Sequence, residues 1–136
     1  MFFWPIRIYY EDTDAGGVVY YANYLRFYER ARTEWLRAEG IEQDEIRQND
    51  GILFVVRSAE VEYLRPALFN DEVVVSASLS EVRRASLKFR QEIRRINMQG
   101  ELLSSAQFRI ASITAKTLRP AAIPDHLMER IKKDEL

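Results

Sequence analysis

Residues 9–24 read YYEDTDAGGVVYYANY, and the rest of the chain is organised around them. The stretch follows an alternating apolar run that predicts a strand from Ile6 to Tyr10. It crosses a turn rich in acids and glycines and then enters the longest helical pattern of the sequence, from Asn23 to about Glu39. An acidic side chain is therefore held just ahead of a helix N-terminus, where backbone N–H groups stabilise negative charge. We interpret the stretch as an active-site loop, with a simple helix cap as the alternative.

The composition is typical of one soluble globular domain, which we expect to span residues 1–136. Of the 136 residues, 47% are hydrophobic and 30% are charged, and the net charge is −1. A strongly basic nucleic-acid-binding protein is therefore not expected. The chain has no cysteine and a single histidine, His126. Thiol catalysis is excluded, a histidine metal cluster or a Ser-His-Asp triad is not expected, and we predict neither a metal nor another cofactor.

The sequence shows no usable targeting signal, which favours a cytoplasmic protein. No apolar run approaches the ~18 residues of a transmembrane helix, and the first residues lack the basic and apolar regions of a signal peptide. The last four residues, Lys133 to Leu136, spell an ER-retrieval sequence. Such an address has no use without a secretory signal, so we interpret it as the chance ending of a charged helix.

The remaining patterns predict an α+β fold with a largely antiparallel sheet. Apolar residues recur at helical spacing after the loop, and four strand patterns follow at residues 52–64, 72–82, 86–95 and 102–114, before a closing helix. In the first of these strands, Val55, Ala59, Val61 and Tyr63 are expected on one side. No strand–helix–strand repeat occurs, so about five strands should wrap around one long helix. Open sheet edges favour a dimer that joins two sheets.

The acidic loop carries the candidate catalytic groups. Four carboxylates near the helix start compete for this role: Glu11, Asp12, Asp14 and Glu29. Aspartate is common in turns for structural reasons alone. However, Gly16 and Gly17 allow the backbone to come close to a ligand, and residues 20–23 enter the helix with free N–H groups. A carboxylate beside free amides suits nucleophilic or general-base attack on an activated acyl group, with an oxyanion intermediate.

A second candidate feature is basic. Several cations follow one another on two predicted strands and their turn: Arg83, Arg84, Lys88, Arg90, Arg94 and Arg95. They are either a solvated strand face or a phosphate clamp, since arginine presents a planar fork to phosphate. Arg119 could add to such a clamp.

The loop and the helix that follows it carry a resemblance to a known family. Residues 11–20, 23–25 and 27–34 resemble the signature of hotdog-fold acyl-CoA thioesterases of the 4-hydroxybenzoyl-CoA thioesterase type. The resemblance runs nearly end to end and is nearest to the branch associated with the bacterial Tol-Pal system. Its other matching segments are residues 55–58, 63–67, 83–86 and 119–120.

The resemblance implies a sheet wrapped around the long helix and a homodimer, often doubled to a homotetramer. It implies that Asp14 is the catalytic carboxylate and that the backbone amide of Tyr21 polarises the carbonyl. The substrate would lie between subunits. Other residues are implied in substrate binding: Gly16, Gly17 and Val18 in the loop, and Arg83, Arg84 and Arg119 at the CoA phosphates.

The chain departs from the family pattern at Tyr21, where the Tol-Pal branch commonly has histidine and the hydroxybenzoyl branch has tyrosine. A side-chain histidine role is therefore absent here. The activity implied is hydrolysis of acyl-CoA, or of a related thioester on acyl carrier protein, to the free acid. Asp14 would act as nucleophile or as general base, and the residues leave both open. A non-catalytic module that binds acyl-CoA or acyl carrier protein is the alternative.

Overall fold

A computed structural model describes residues 2–133, so residues 134–136 of the retrieval-like ending lie outside the described part. The elements in chain order are β1 (Phe2–Arg7), a 3-10 turn (Tyr10–Asp12), α1 (Asn23–Ala38), α2 (Gln43–Asp50), β2 (Ile52–Tyr63), β3 (Glu72–Arg83), β4 (Ser86–Arg95), β5 (Leu102–Thr114) and α3 (Asp125–Lys133). The strands form an antiparallel sheet in the order β1-β3-β4-β5-β2. The predicted α+β class is confirmed. No helix in the described residues is long and apolar enough to cross a membrane.

Helix α1 forms because its apolar residues recur every three or four positions and cover one face of the sheet. The buried members of this stripe include Tyr24, Phe27, Tyr28, Ala31 and Trp35. Trp35 packs edge-on against Phe89 of β4 at 5.4 Å between ring centroids. The helix ends before Gly40, whose φ of +79° is the left-handed conformation that favours glycine. We call the face of the sheet that α1 covers the inner face.

The first strand differs from its prediction. The pattern predicted a strand from Ile6 to Tyr10, but β1 ends at Arg7 and the chain then enters the 3-10 turn. Tyr10 is 79% exposed, so it is not an inward-facing strand residue. The cause is local, because the Asp12 carboxylate accepts a hydrogen bond from the Tyr9 N–H at 2.8 Å and draws the backbone out of the ladder.

A β-bulge at Arg57 corrects the prediction for the first long strand, β2. Val56 pairs with Ile110, and Ser58 pairs with the adjacent Arg109. Arg57 therefore has no partner on β5 and is an extra residue. Val55 consequently lies on the outer face, whereas Val56 and Ala59 both lie on the inner face. The expectation that Val55 shares a side with Ala59 is wrong, because simple alternation does not foresee an inserted residue.

Buried polar groups beneath α1 are satisfied by one another. The Tyr28 hydroxyl donates to Ser104 Oγ at 2.6 Å, and that hydroxyl donates to the carbonyl oxygen of Glu62 at 2.8 Å. Gln91, on the inner face of β4, donates through Nε2 to the carbonyl oxygens of Tyr28 and Ser76, at 3.1 Å each. These bonds join the helix to β4 and β5 and, through them, to β2 and β3.

Replacing Tyr28 by phenylalanine should lower the free energy of unfolding by about 1–2 kcal/mol, because Ser104 loses its buried donor while ring packing is retained. Urea unfolding followed by circular dichroism measures the change. Tyr10→Phe is the matched control, since its hydroxyl is exposed, and it should alter stability by less than about 0.5 kcal/mol. Equal values for the two variants would contradict a stabilising role for the buried hydroxyl.

Candidate active site at the start of the long helix

The acidic loop, residues 9–22, is docked on the connection between β2 and β3. The Val19 N–H donates to the carbonyl oxygen of Ala67 at 2.9 Å. The Ala67 N–H in turn donates to the hydroxyl of Tyr24, in the first turn of α1, at 3.0 Å. Loop, helix start and one end of the sheet are thereby held together, which fixes the position of the candidate catalytic groups.

Asp14 sits at the exposed tip of this loop in a tight turn. Its Oδ1 accepts a hydrogen bond from the Gly16 N–H at 2.8 Å, and its carbonyl oxygen accepts one from Gly17 at 3.0 Å. Gly17 has a φ of +80°, and a Cβ on Gly16 would lie 3.2 Å from Asp14 Oδ1. The two glycines therefore permit the turn that holds one carboxylate oxygen and leaves the other, Oδ2, with no partner among residues 2–133.

Asp12 has a structural role instead. Besides capping the Tyr9 N–H, it accepts bonds at its carbonyl oxygen from the Tyr20 N–H and from Asn23 Nδ2, both at 2.9 Å. These contacts tie the beginning of the loop to the beginning of α1. Of the two aspartates, Asp14 is the exposed one, whereas Asp12 is half-buried.

Free backbone donors stand where the loop becomes the helix. The carbonyl oxygens of Tyr20 and Tyr21 accept bonds from the next turn, but the N–H groups of Tyr21 and Ala22 have no acceptor among residues 2–133. Unpaired N–H groups at a helix start form an anion site. The sequence predicted free N–H groups at residues 20–23. This holds for Tyr21 and Ala22, but the N–H groups of Tyr20 and Asn23 donate to the carbonyl oxygens of Asp12 and Tyr20.

Tyrosine rings line the helix start. Tyr63 of β2 packs edge-on against Tyr21 at 6.1 Å and against Tyr24 at 5.1 Å between centroids. The pKa of Tyr20 is raised, first by its interaction and hydrogen bond with Tyr21 and then by burial and the nearby Asp14 charge. Burial likewise raises the pKa of Tyr63. These phenols are therefore protonated at neutral pH and present an aromatic wall with polar tips.

The predicted phosphate-binding arginines lie at the opposite end of the sheet. Arg84 is in the β3–β4 turn, where its carbonyl oxygen accepts a bond from Ile123, and Arg119 pairs with Thr114 at the end of β5. Arg83 forms an ion pair with Glu81 at 2.8 Å. The twelve residues of β3 run from the loop end to this arginine end, a span of about 35 Å. One subunit therefore does not bring these arginines to Asp14.

Arg94 and Arg95 do not join a clamp, and Arg90 is exposed near the middle of β4, away from the turn that holds Arg84. Arg94 is paired with Glu92 at 3.1 Å, and Arg95 lies at the loop end, paired with Asp71 and Glu101. Within the described part of the chain, no group of three or more metal-ligating side chains could hold a metal ion.

Arg32 is a buried charged residue of α1 that was not predicted from the sequence. It lies within the apolar stripe of α1 and is only 7% exposed. Its Nη1 donates to Gln91 Oε1 at 3.0 Å, and its guanidinium lies 4.2 Å from the ring centroid of Phe108. The signal was its spacing, four residues after Tyr28 and three before Trp35, which places an arginine on the buried face of the helix.

Comparison with known proteins identifies the family. A family model for the thioesterase-like superfamily matches residues 9–131. The chain belongs to this superfamily. It is 40% identical over 133 residues to the acyl-CoA thioester hydrolase YbgC of Escherichia coli O6:H1, covering 98% of this chain and 97% of that protein. The predicted family resemblance is thus confirmed.

Solved structures agree with the fold. A probable thioesterase from Bartonella henselae has a TM-score of 0.84 at 32% identity, covering 90% of this chain and 98% of that one. A 4-hydroxybenzoyl-CoA thioesterase bound to 4-hydroxybenzoyl-CoA has a TM-score of 0.87, covering 95% and 96% of the two chains. At 21% identity the second likeness shows the fold alone, which is the predicted hotdog fold.

The contrast between the two loop aspartates can be tested. Asp12→Ala should lower the free energy of unfolding by about 1 kcal/mol, because the Tyr9 N–H loses its acceptor. Asp12→Asn keeps an acceptor oxygen and should change both stability and any enzymatic turnover little. Thermal denaturation with a turnover assay measures both. A loss of turnover in a stably folded Asp12→Asn variant would show that the wrong aspartate has been assigned the structural role.

Proposed function

We propose that this protein hydrolyses acyl-CoA thioesters to the free acid and CoA. Its membership of the thioesterase-like superfamily and its 40% identity to YbgC, named as an acyl-CoA thioester hydrolase, support this reaction. The observation that carries it is the juxtaposition of the exposed Asp14 loop and the unpaired N–H groups of Tyr21 and Ala22 at one helix start. A carboxylate beside such donors suits acyl transfer to water.

The helix start serves the developing oxyanion. In this proposal the thioester carbonyl oxygen accepts hydrogen bonds from the Tyr21 N–H, with the Ala22 N–H as a second donor. As a nucleophile adds to the carbonyl carbon, negative charge grows on that oxygen, and fixed donors in the field of α1 stabilise the charge more than the neutral carbonyl. The role belongs to the backbone, so it does not require histidine at position 21.

Asp14 supplies the attack by one of two routes. As a general base it takes a proton from water, and the resulting hydroxide oxygen adds to the carbonyl carbon. As a nucleophile its own oxygen adds, giving a mixed anhydride that water then cleaves. In both routes the carbon–sulfur bond breaks, and CoA leaves as the thiolate. A single turnover in ¹⁸O-labelled water tests the second route, because label enters Asp14 only if the anhydride forms and water attacks its Asp14 carbonyl carbon.

The site is completed by a second subunit. Arg84 and Arg119 lie at the end of the sheet opposite to the acidic loop of their own chain, and β3 spans about 35 Å between those two ends. Both β1 and β2 are edge strands, so each leaves one row of backbone groups open. A two-fold dimer that pairs β2 with its copy would run the two strands antiparallel. The arginine end of one subunit would then approach the acidic loop of the other.

Asp14→Asn should abolish most turnover without unfolding the protein, since it keeps size and hydrogen bonding but removes charge and basicity. Tyr21→Phe should be mild, because every residue except proline supplies the backbone N–H. Steady-state release of free CoA thiol measures both. If Tyr21→Phe lost about 10²–10³-fold, as removal of an oxyanion donor does, the hydroxyl rather than the amide would be the working group.

Arg84→Ala and Arg119→Ala should raise KM for acyl-CoA and leave kcat nearly unchanged, because phosphate contacts stabilise ground and transition states alike. Added salt should weaken binding in the wild type more than in the variants, since exposed charges are screened over about 10 Å at 0.1 M. Arg90→Ala, on the outer face of β4, is the control. An unchanged KM in both variants would place the phosphates elsewhere.

A shared site also predicts complementation. Subunits carrying Asp14→Asn are refolded together with subunits carrying both Arg84→Ala and Arg119→Ala, and kcat/KM is compared with the mean of the separate preparations. In a mixed dimer one site combines an intact Asp14 with intact arginines, so about a quarter of wild-type activity should appear. No gain, with mixed dimers detected by native mass spectrometry, would show that each chain supplies its own phosphate contacts.

A further inference from the structure

The guanidinium of Arg32 is buried without a carboxylate partner. It is 7% exposed, and of its nitrogens only Nη1 has an acceptor among residues 2–133, the neutral amide oxygen of Gln91. In the described residues, Ser112 Oγ is the only fully enclosed side-chain nitrogen or oxygen atom without a hydrogen-bond partner. The unpaired nitrogens of Arg32 are not among the fully enclosed atoms. The Nε and Nη2 groups of Arg32 are therefore not sealed in the core, and they face the space beside α1.

Arg32 keeps its charge in this position. Burial lowers its pKa to about 10, and Glu29 on the same helix opposes that shift, so the guanidinium remains protonated at neutral pH. No carboxylate in the described part of the chain lies within 4.0 Å of it. A buried cation with most donors unused is costly, and an anion that accepts those donors offsets the cost.

Two spaces meet at Arg32. One is a small cavity of about 130 Å³ between α1 and the sheet, whose apolar walls include Phe54, Leu87 and Phe89. The other is an open groove of about 550 Å³ between α1 and β2, which we call the α1–β2 groove. Its lining residues are Leu25, Arg26, Glu29, Arg30, Arg32, Val56, Ala59 and Phe108. Ligand pockets commonly have a volume of this order.

The α1–β2 groove runs along α1 from its first turn, next to the candidate active site, to Arg32. Leu25, Glu29 and Arg32 are spaced four and three residues apart on α1, so they share one side of the helix. Leu25 lies in the first turn, two residues after the helix begins, and Arg32 is seven residues farther, about 10 Å along the axis. On the facing strand, the inner-face residues run from Tyr63, beside Tyr21, down to Val56.

We propose that the α1–β2 groove binds the acyl group of the substrate and that Arg32 binds a carboxylate at its far end. This inference rests on the proposed thioester hydrolysis, and it names the preferred substrates as CoA thioesters of dicarboxylic acids. The apolar walls fit the methylene chain, and the guanidinium fork fits the terminal carboxylate in a two-point contact. Arg26 and Arg30 add positive charge at the open side of the groove, against one acid, Glu29.

A methyl-ended acyl chain of equal length would fill the same walls but leave the buried cation unpaired. Hydrogen bonds to charged groups correspond to a preference of about 10- to 100-fold in favour of the carboxylate-ended substrate. The preference should appear in kcat/KM, because the contact is distant from the reacting carbonyl and forms in ground and transition states alike.

The test compares chain-matched pairs of substrates: adipoyl-CoA with hexanoyl-CoA, and suberoyl-CoA with octanoyl-CoA. For the wild type, kcat/KM should favour the carboxylate-ended member of at least one pair by about 10- to 100-fold. Arg32→Met, which keeps length but removes the charge, should abolish or reverse that ratio while hydrolysis of the methyl-ended thioesters persists. Arg32→Lys should retain part of it. Arg90→Met removes an arginine charge on the outer face of β4 and should leave the ratio unchanged.

Three outcomes would overturn the inference. One is a wild-type enzyme that prefers methyl-ended thioesters. Another is an active, folded Arg32→Met variant with an unaltered ratio. The third is Arg32→Met weakening subunit association in analytical ultracentrifugation at an unaltered ratio, because the cation would then bind a carboxylate of a second copy.

Failure of the proposed hydrolysis would be distinguishable. If the wild type cleaved none of the four thioesters, the proposed function would fall, and calorimetric titration with free suberate would still test the site. Binding by the wild type that is lost in Arg32→Met would support a carboxylate site at Arg32. Absence of binding by the wild type would reject it.

Discussion

The backbone of Ala67 is the point on which the arrangement of this protein depends. Its carbonyl oxygen accepts from Val19 in the acidic loop, and its N–H donates to the hydroxyl of Tyr24 in the first turn of α1. Ala67 is 1% exposed, so both groups would be costly if left unpaired. One bond comes from the loop and the other from the helix. Hydrogen-bonding the backbone of this one buried residue therefore fixes the loop, the helix start and the sheet end relative to one another.

Much of this arrangement could be predicted because it is local in sequence. The spacing of Tyr28 and Trp35 gives the buried face of α1, and the glycines next to Asp14 indicate a turn that presents a carboxylate to a helix start. Such signals lie within a few residues of each other, and each follows from backbone geometry. The resemblance of residues 11–34 to thioesterases added the substrate class, which periodicity alone does not contain.

What could not be predicted depends on distant partners. The bulge at Arg57 is defined by its pairing with β5, some fifty positions later, and no pattern within β2 marks the inserted residue. In the sequence, Arg32 resembles the other charged residues of α1. Its burial depends on Phe108 and Gln91, which belong to distant strands. The separation of Asp14 from Arg84 likewise emerges only from the fold, because β3 runs from the acidic-loop end of the sheet to its arginine end.

The bulge at Arg57 also constrains what can associate with this protein. If Arg57 were removed, the residues before and after it would still lie on the faces of the sheet that they occupy now. The inserted residue therefore leaves the core intact and changes only the shape of the edge strand. A bulge bends its strand and increases the local twist. A straight apolar edge bearing Val55 and Val56 would accept almost any extended chain, including those of unfolded neighbours. A bent edge pairs well only with a strand whose curvature matches its own. The β2 strand of another copy of this chain has that curvature.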